Sequence, residues 1–429
     1  MPTTLCTTND AEALIQVKKQ HIWPCVYHFY RDPPVIARGE GAHLFDTNGH
    51  RFLDCYSGVG VMSAGHSNPK IIEAVREQME QLCHTTTIYI SQPMLRLSER
   101  LAEVLPENLD SFFFCASGSE ANESALLLAT LATGRKDFIT FENSLHGRTK
   151  AAMSATSLPM WRTDPELLDS FHMAPPLADP NCLDAVQRLL QDYEIAAVMY
   201  EPIQGNGGIH VMPEGFLSRL KTLCGQYGTL LIADEVQTGI NRTGKFLASS
   251  GMGVTPDIVT LAKALGNGFP IAVAATSSQL AEAYRKPGAS TYGGNPVSAS
   301  AALAVLDYHM EHQLGDLAQQ LGSWLLDVLQ EQLSRFSVVK EIRGRGLMVG
   351  VEIVRGAEQQ TADYVTQLLE DLKDAGFLLG RTGPGRNVLT IMPPLVIEQS
   401  DLQSLVDAIE IVLDASNSMK VPPSINQNS

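Results

Sequence analysis

Residues Tyr227 to Pro270 read YGTLLIADEVQTGINRTGKFLASSGMGVTPDIVTLAKALGNGFP, and this stretch decides the fold. Thr229 to Ala233 is a short continuous apolar run, the pattern of a strand covered on both faces of a parallel sheet. At its carboxyl end stand Asp234 and Glu235, then Gln237 and Gly239. A second such run, Asp257 to Leu261, is followed at once by Ala262 and Lys263. Ligands of open α/β sheets sit outside the carboxyl ends of the strands. The acid ending one strand and the lysine just past the next are therefore expected to meet at one ligand.

Pyridoxal phosphate suits that pair. Its pyridine nitrogen stays protonated against a buried carboxylate, and its aldehyde condenses with a lysine amine to a Schiff base. Working outward, Ser111–Cys115 reads as a buried strand running into Ala116-Ser117-Gly118-Ser119-Glu120, a small turn that opens a helix through Leu131. The unpaired amides of a helix's first turn hold phosphate well. Two further strands end in chemistry: Asp137–Phe141 before Ser144-Leu145-His146-Gly147-Arg148-Thr149, and Ile195–Tyr200 before Glu201-Pro202-Ile203-Gln204-Gly205-Asn206.

Composition narrows the class. The chain has 429 residues, 44% hydrophobic and 18% charged, enough for a large core in two lobes. A net charge of −16 argues against nucleic acid or an anionic membrane as partner. Seven cysteines, an odd number without CxxC spacing, suggest reduced thiols in the cytoplasm. Met1–Asp10 lacks the basic start and apolar core of a signal peptide, and no apolar run is long enough to span a membrane. No metal site is expected.

Other elements follow from pattern. A helix and an aromatic-rich turn, Trp23–Tyr30, occupy residues 11–30. A hairpin runs over residues 42–54. Asn68-Pro69 opens a helix expected to carry Ile71, Ile72, Val75, Met79 and Leu82 on one face. His66, Glu235 and Arg242 read as structural. Pro296 begins a long helix to Met310. Beyond it the texture becomes α+β, with helices over 317–333 and 361–375 and strands over 347–352 and 388–392. The expected domains are an N-terminal segment (1–55) packing with the small domain, a large cofactor-binding domain (56–312), a small domain (313–420) and a polar tail (421–429).

The quoted stretch, with H-G-R-T at 146–149 and S-T-Y-G-G-N-P at 290–296, resembles the signature of the class III aminotransferases, over about residues 20–415. These include the ornithine, 4-aminobutyrate and acetylornithine enzymes and their phospholyase and ammonia-lyase relatives. The resemblance implies the fold type I of pyridoxal-phosphate transferases: a mostly parallel seven-stranded sheet flanked by helices, plus a small α+β domain. It implies a homodimer, or a tetramer built from it. Lys263 would carry the cofactor and then move the α-proton, and Asp234 would hold the pyridinium. Gln237 would bond the ring phenolate oxygen. Ser117, Gly118 and Ser119 would bind phosphate, helped by Thr291 from the second subunit. Leu145, His146 and Glu201 would complete the cofactor site, and Tyr56 would border the substrate.

Three positions depart from the family. Leu145 stands where Phe or Tyr commonly stacks on the ring. Asn206 replaces the glutamate of E-P-x-Q-G-E, and Thr390 replaces the arginine that pairs with it and binds the α-carboxylate of glutamate or 2-oxoglutarate. Loss of one partner alone would leave an unpaired charge, costing about 3–5 kcal/mol when buried. Their joint loss fits a different site, with Arg381 and Arg386 as candidate anion contacts. Two functions are consistent with this: transfer of an amino group to a keto acid such as pyruvate or glyoxylate, or elimination of ammonia (with or without phosphate) from an amino-alcohol phosphate or aminophosphonate. A non-catalytic protein on this fold would not need the intact Lys263–Asp234 pair.

Overall fold

The computed structural model describes residues 11–418. The expected tail Val421–Ser429 and the signal-peptide reading of Met1–Asp10 lie outside the described residues. A seven-stranded sheet forms the centre, in the order 111–115, 272–276, 258–261, 230–234, 195–200, 137–141, 171–174. The strands Leu230–Asp234 and Ile258–Leu261 are adjacent and parallel, with Asp234 opposite Thr260. Ala272–Thr276 alone runs against both its neighbours. Its small Ala-rich residues were not read as a strand from the sequence. Ser111–Cys115 was expected to be buried throughout, but it is the edge strand, and Ser111, Phe112 and Phe113 are only half covered.

Helices cover both faces because the inner strands are apolar on both sides; Ile195–Tyr200 is buried at every position. On the helix Pro69–Gln81 the single apolar face is corrected. Ile71 and Val75 are buried against Ala301 and Val305, whereas Ile72 and Met79 are exposed and Leu82 lies beyond the helix end. At 100° per residue, Ile72 cannot share a face with Ile71.

A second, four-stranded sheet has the order 339–344, 349–353, 388–391, 380–382, all antiparallel. Helices Leu314–Leu333, Glu358–Asp374 and Gln399–Ser418 accompany it. Ala42, Leu53 and Cys55 of the N-terminal segment join the same apolar cluster as Leu325, Val351, Leu369 and Leu405. The hairpin His43–Asp46/Arg51–Asp54 forms as read, and Phe377–Leu378 adds to it in parallel.

The residues taken as structural behave so. His66 Nε2 bonds Asp54 Oδ2 at 2.7 Å, and Asp54 Oδ1 accepts the Tyr56 and Ser57 amides. Glu235 accepts the Ala248 and Ser249 amides. Buried Arg242 donates to the carbonyls of Leu347 and Pro393, joining the two sheets' layers. The six described cysteines are free thiols. Among the described residues no helix is long and apolar enough to cross a membrane.

Candidate active site

A cavity of about 660 Å³ opens at the carboxyl ends of the central strands. Lys263 enters it from a single 3₁₀ turn, Lys263–Leu265, directly after the strand Ile258–Leu261. Its φ of +45° lies in the left-handed region, which costs a side-chain-bearing residue about 1–3 kcal/mol. The chain thus accepts local strain to place this amine. Burial lowers the Lys263 pKa, against the opposing pull of Asp234 and Glu201. The neutral amine is therefore available nearer to neutral pH than on a free lysine.

Asp234, at the end of its strand, is oriented from two directions. Its Oδ2 accepts from Asn122 Nδ2 and His146 Nδ1, each at 2.8 Å, and its Oδ1 accepts the Val236 amide at 3.1 Å. Asn122 is itself fixed, since Thr260 Oγ1 donates to its Oδ1 at 2.7 Å and its Nδ2 also reaches the His146 carbonyl. Burial disfavours charge on His146, but the bond to Asp234 and the charges of Asp234 and Glu201 outweigh it and raise its pKa. Asn122 was not singled out from the sequence. It lies one helical turn past Gly118, a spacing that could have flagged it.

The helix Gly118–Thr133 points its first turn at the same cavity. Ser117 is its cap: Oγ accepts the Glu120 amide, and Glu120 Oε2 accepts the Ala116 amide in return. The amides of Gly118 and Ser119 remain for an anion. A Cβ on Gly118 would stand 2.9 Å from Val236 Cγ1, and one on Gly147 would stand 2.5 Å from Ser119 Oγ. Gly147 also holds φ +143°, so the cradle is closed to larger residues there.

Two buried polar atoms among the lining residues lack partners: Gln237 Oε1 and His146 Nε2. Unpartnered atoms of this kind in a site with a lysine, an acid and an anion cradle fit pyridoxal phosphate. When bound, the cofactor supplies an electrophilic carbon and an electron sink for the substrate's Cα. The chain's own part would be Lys263 for the aldehyde, Asp234 for the ring nitrogen, Gln237 for the phenolate oxygen and residues 117–119 for the phosphate. Leu145 lines the cavity and offers an apolar cover without the stacking of an aromatic ring, about 0.5–1.5 kcal/mol.

The substrate side is assembled from distant segments. Tyr27, Phe29, Tyr56 and Trp161 form a chain of ring contacts along one wall. Tyr27 and Phe29 thus line the site, whereas Trp23 of the same turn is 79% exposed and does not. Met160 and Trp161 carried no sequence signal. Asn206, Arg381 and Arg386 line the cavity as well, and the Asn206 carbonyl accepts the Gly383 amide at 3.0 Å, tying the two loops together. Arg381 is 7% exposed and donates from Nη1 to Thr366 Oγ1 at 2.6 Å.

One expected site residue is elsewhere. Thr390 is fully buried and bonds Thr382 Oγ1 at 2.8 Å, and it is Thr382 that faces the cavity. The register explains this, because Thr390 pairs with Gly380, two positions along the hairpin from the pair of Thr382 and Val388. Thr291 is exposed and does not line the cavity of its own chain.

Known proteins agree with this geometry. The family described as Aminotransferase class-III matches residues 29–413. The acetylornithine aminotransferase of Methanopyrus kandleri is 39% identical over 395 residues, covering 91% of this chain and 97% of its own. Alanine–glyoxylate aminotransferase 2 homolog 2 of Arabidopsis thaliana is 36% identical over 420 residues, 94% of this chain and 88% of its own. Among solved structures, the ornithine aminotransferase of Toxoplasma gondii superposes with a TM-score of 0.88 at 30% identity, covering 96% of each chain. Likeness of this extent places the chain in the class-III aminotransferase family of pyridoxal-phosphate-dependent enzymes.

Proposed function

We propose that this cytoplasmic enzyme moves the amino group of an amine or amino acid to a small keto acid, pyruvate or glyoxylate, in preference to 2-oxoglutarate. The observation that carries it is Thr390 sealed behind Thr382, with Asn206 in place of the acid partner. No guanidinium stands at position 390 to fork a second carboxylate. The likeness to an alanine–glyoxylate enzyme supports the small acceptor. Lys263, Arg148, Arg381 and Arg386 line the cavity against only Glu201 and Asp234, which suits an anionic substrate, and Arg381 and Arg386 are its carboxylate contacts.

A charge-assisted hydrogen bond contributes about 1.5–3 kcal/mol, so kcat/KM for pyruvate or glyoxylate is expected to exceed that for 2-oxoglutarate at least tenfold. Coupled assays with the three acceptors measure this. Glutamate and 2-oxoglutarate proving the best pair would overturn the proposal.

Loss of the acid–arginine pair also favours a second function, ammonia elimination, because a lyase need not bind a keto acid. Incubating the yellow holoenzyme with candidate amines and no acceptor separates the two. A transferase stops after one turnover, with the amino group on the cofactor. A lyase continues and releases ammonia.

The working unit in this proposal is a homodimer, with Thr291 serving the phosphate site of the other copy. Exposed Ile88, Tyr89, Ile90 and Tyr292 supply apolar surface near Thr291, where His84 packs on Tyr292 and Asn295 bonds the Cys83 carbonyl. Sedimentation is expected to show a dimer, and Thr291→Ala to weaken cofactor affinity several-fold. A monomer that binds cofactor tightly and turns over would refute it.

A further inference from the structure

Glu201 stands apart from the residues whose roles follow from the cofactor alone. It ends the strand Ile195–Tyr200, is 6% exposed, and lines the cavity. Its Oε1 accepts the Leu145 amide at 2.8 Å and its Oε2 accepts the Gly205 amide at 3.1 Å. Each oxygen therefore holds a different loop. One loop carries Leu145, which covers the cofactor ring, and the other carries Asn206 and, through its carbonyl, the Gly383 turn that precedes Arg386. Glu201 thereby ties together two loops whose residues Leu145 and Asn206 line the cavity.

The charges around Glu201 come from three elements: His146 after the strand Asp137–Phe141, Asp234 at the end of Leu230–Asp234, and Lys263 after Ile258–Leu261. Burial, with the like charge of Asp234, raises the Glu201 carboxyl to about 7, while His146 and the two amides favour its ionised form. Lys263 feels Glu201 as a second stabilising anion after Asp234. Glu201 and Lys263 line the same cavity, Glu201 just past the strand Ile195–Tyr200 and Lys263 just past the strand Ile258–Leu261.

Resting on the cofactor assignment, we infer that Glu201 is a positioning residue with two roles: its two oxygens set the slot between Leu145 and Asn206, and its negative charge favours the protonated state of the nitrogen of Lys263. The two roles separate by substitution. Glu201→Gln keeps the reach of the side chain but removes the charge and one of the two acceptors. Glu201→Asp keeps the charge but is too short to reach both amides.

The test is made on holoenzyme, comparing wild type with both variants by pH titration of the bound cofactor's visible absorbance, by acceptor kinetics and by thermal melting. Removing a nearby anion destabilises a cation, so the absorbance midpoint of Glu201→Gln is expected to move to lower pH by about one unit. Glu201→Asp is expected to keep the wild-type midpoint. Both variants are expected to raise KM for the acceptor several-fold by loosening the slot. A Gln midpoint equal to wild type would overturn the charge role, and an unchanged KM in the Asp variant would overturn the slot role. Lower melting temperatures with unchanged midpoints and KM values would make Glu201 merely structural and refute the inference. Should Glu201→Gln fail to fold, the midpoint and KM of Glu201→Asp still decide: a shifted midpoint or an unaltered KM overturns it.

Discussion

Lys263→Ala is expected to lower turnover by about three orders of magnitude or more, since one substitution removes both the amine proposed to take the cofactor and the group proposed to move the α-proton. The structure gives three reasons for the size of the effect. Lys263 enters the cavity from a left-handed turn whose strain the surrounding fold must support. Burial lowers its pKa below that of a free lysine, against the opposing pull of Asp234 and Glu201, which makes the neutral amine easier to reach. Among the described residues it is also the only lysine lining the cavity. Borohydride reduction of the wild-type holoenzyme followed by peptide mapping is expected to label Lys263. A label on any other lysine would sink the assignment, as would an alanine variant retaining a tenth of the activity.

Asp234→Asn should cost about 10²–10⁴-fold in kcat with a smaller change in KM. The amide is nearly isosteric, so its oxygen can still accept from Asn122 and His146. What is lost is the acceptor for the Val236 amide and the negative charge proposed to keep the cofactor's ring nitrogen protonated, and a preorganised charge in a dry site is typically among the larger contributors to catalysis. The raised pKa of His146 depends on the same carboxylate, so this histidine should titrate at lower pH in the variant. Asp234→Glu, which keeps the charge at altered reach, should recover part of the rate. Steady-state kinetics with NMR titration of His146 measures both effects. A variant within tenfold of wild type, with His146 unmoved, would show that the carboxylate does not act on the ring.

The Asp234 and Lys263 assignments were legible because their signals are local. An apolar run followed by an acid, and another followed by a lysine, each occupy a few consecutive residues, and adjacent parallel strands bring such ends together without further information. The cap at Ser117 and the helix behind it are equally local. Strand 272–276 was harder to read because its Ala-Val-Ala-Ala-Thr sequence carries no periodicity, and its reversed direction is set by its neighbours.

By itself, then, the sequence determined the α/β class and pointed to the proposed cofactor lysine and acid, the proposed phosphate-binding turn and the absence of the acid–arginine pair, all written in short contiguous motifs. Tertiary structure alone decided which groups surround them. Asn122 and His146 meet on one oxygen of Asp234, Glu201 holds two loops with its two oxygens, and Tyr27, Trp161 and Arg381 arrive from segments far apart in the chain. The case of Thr390 shows the physical reason. In a strand the facing direction of a side chain is periodic, but its depth depends on pairing register and on what packs in front of it. Thr382 covers Thr390 because the hairpin closes in one register, a property of contacts between residues that no short stretch contains.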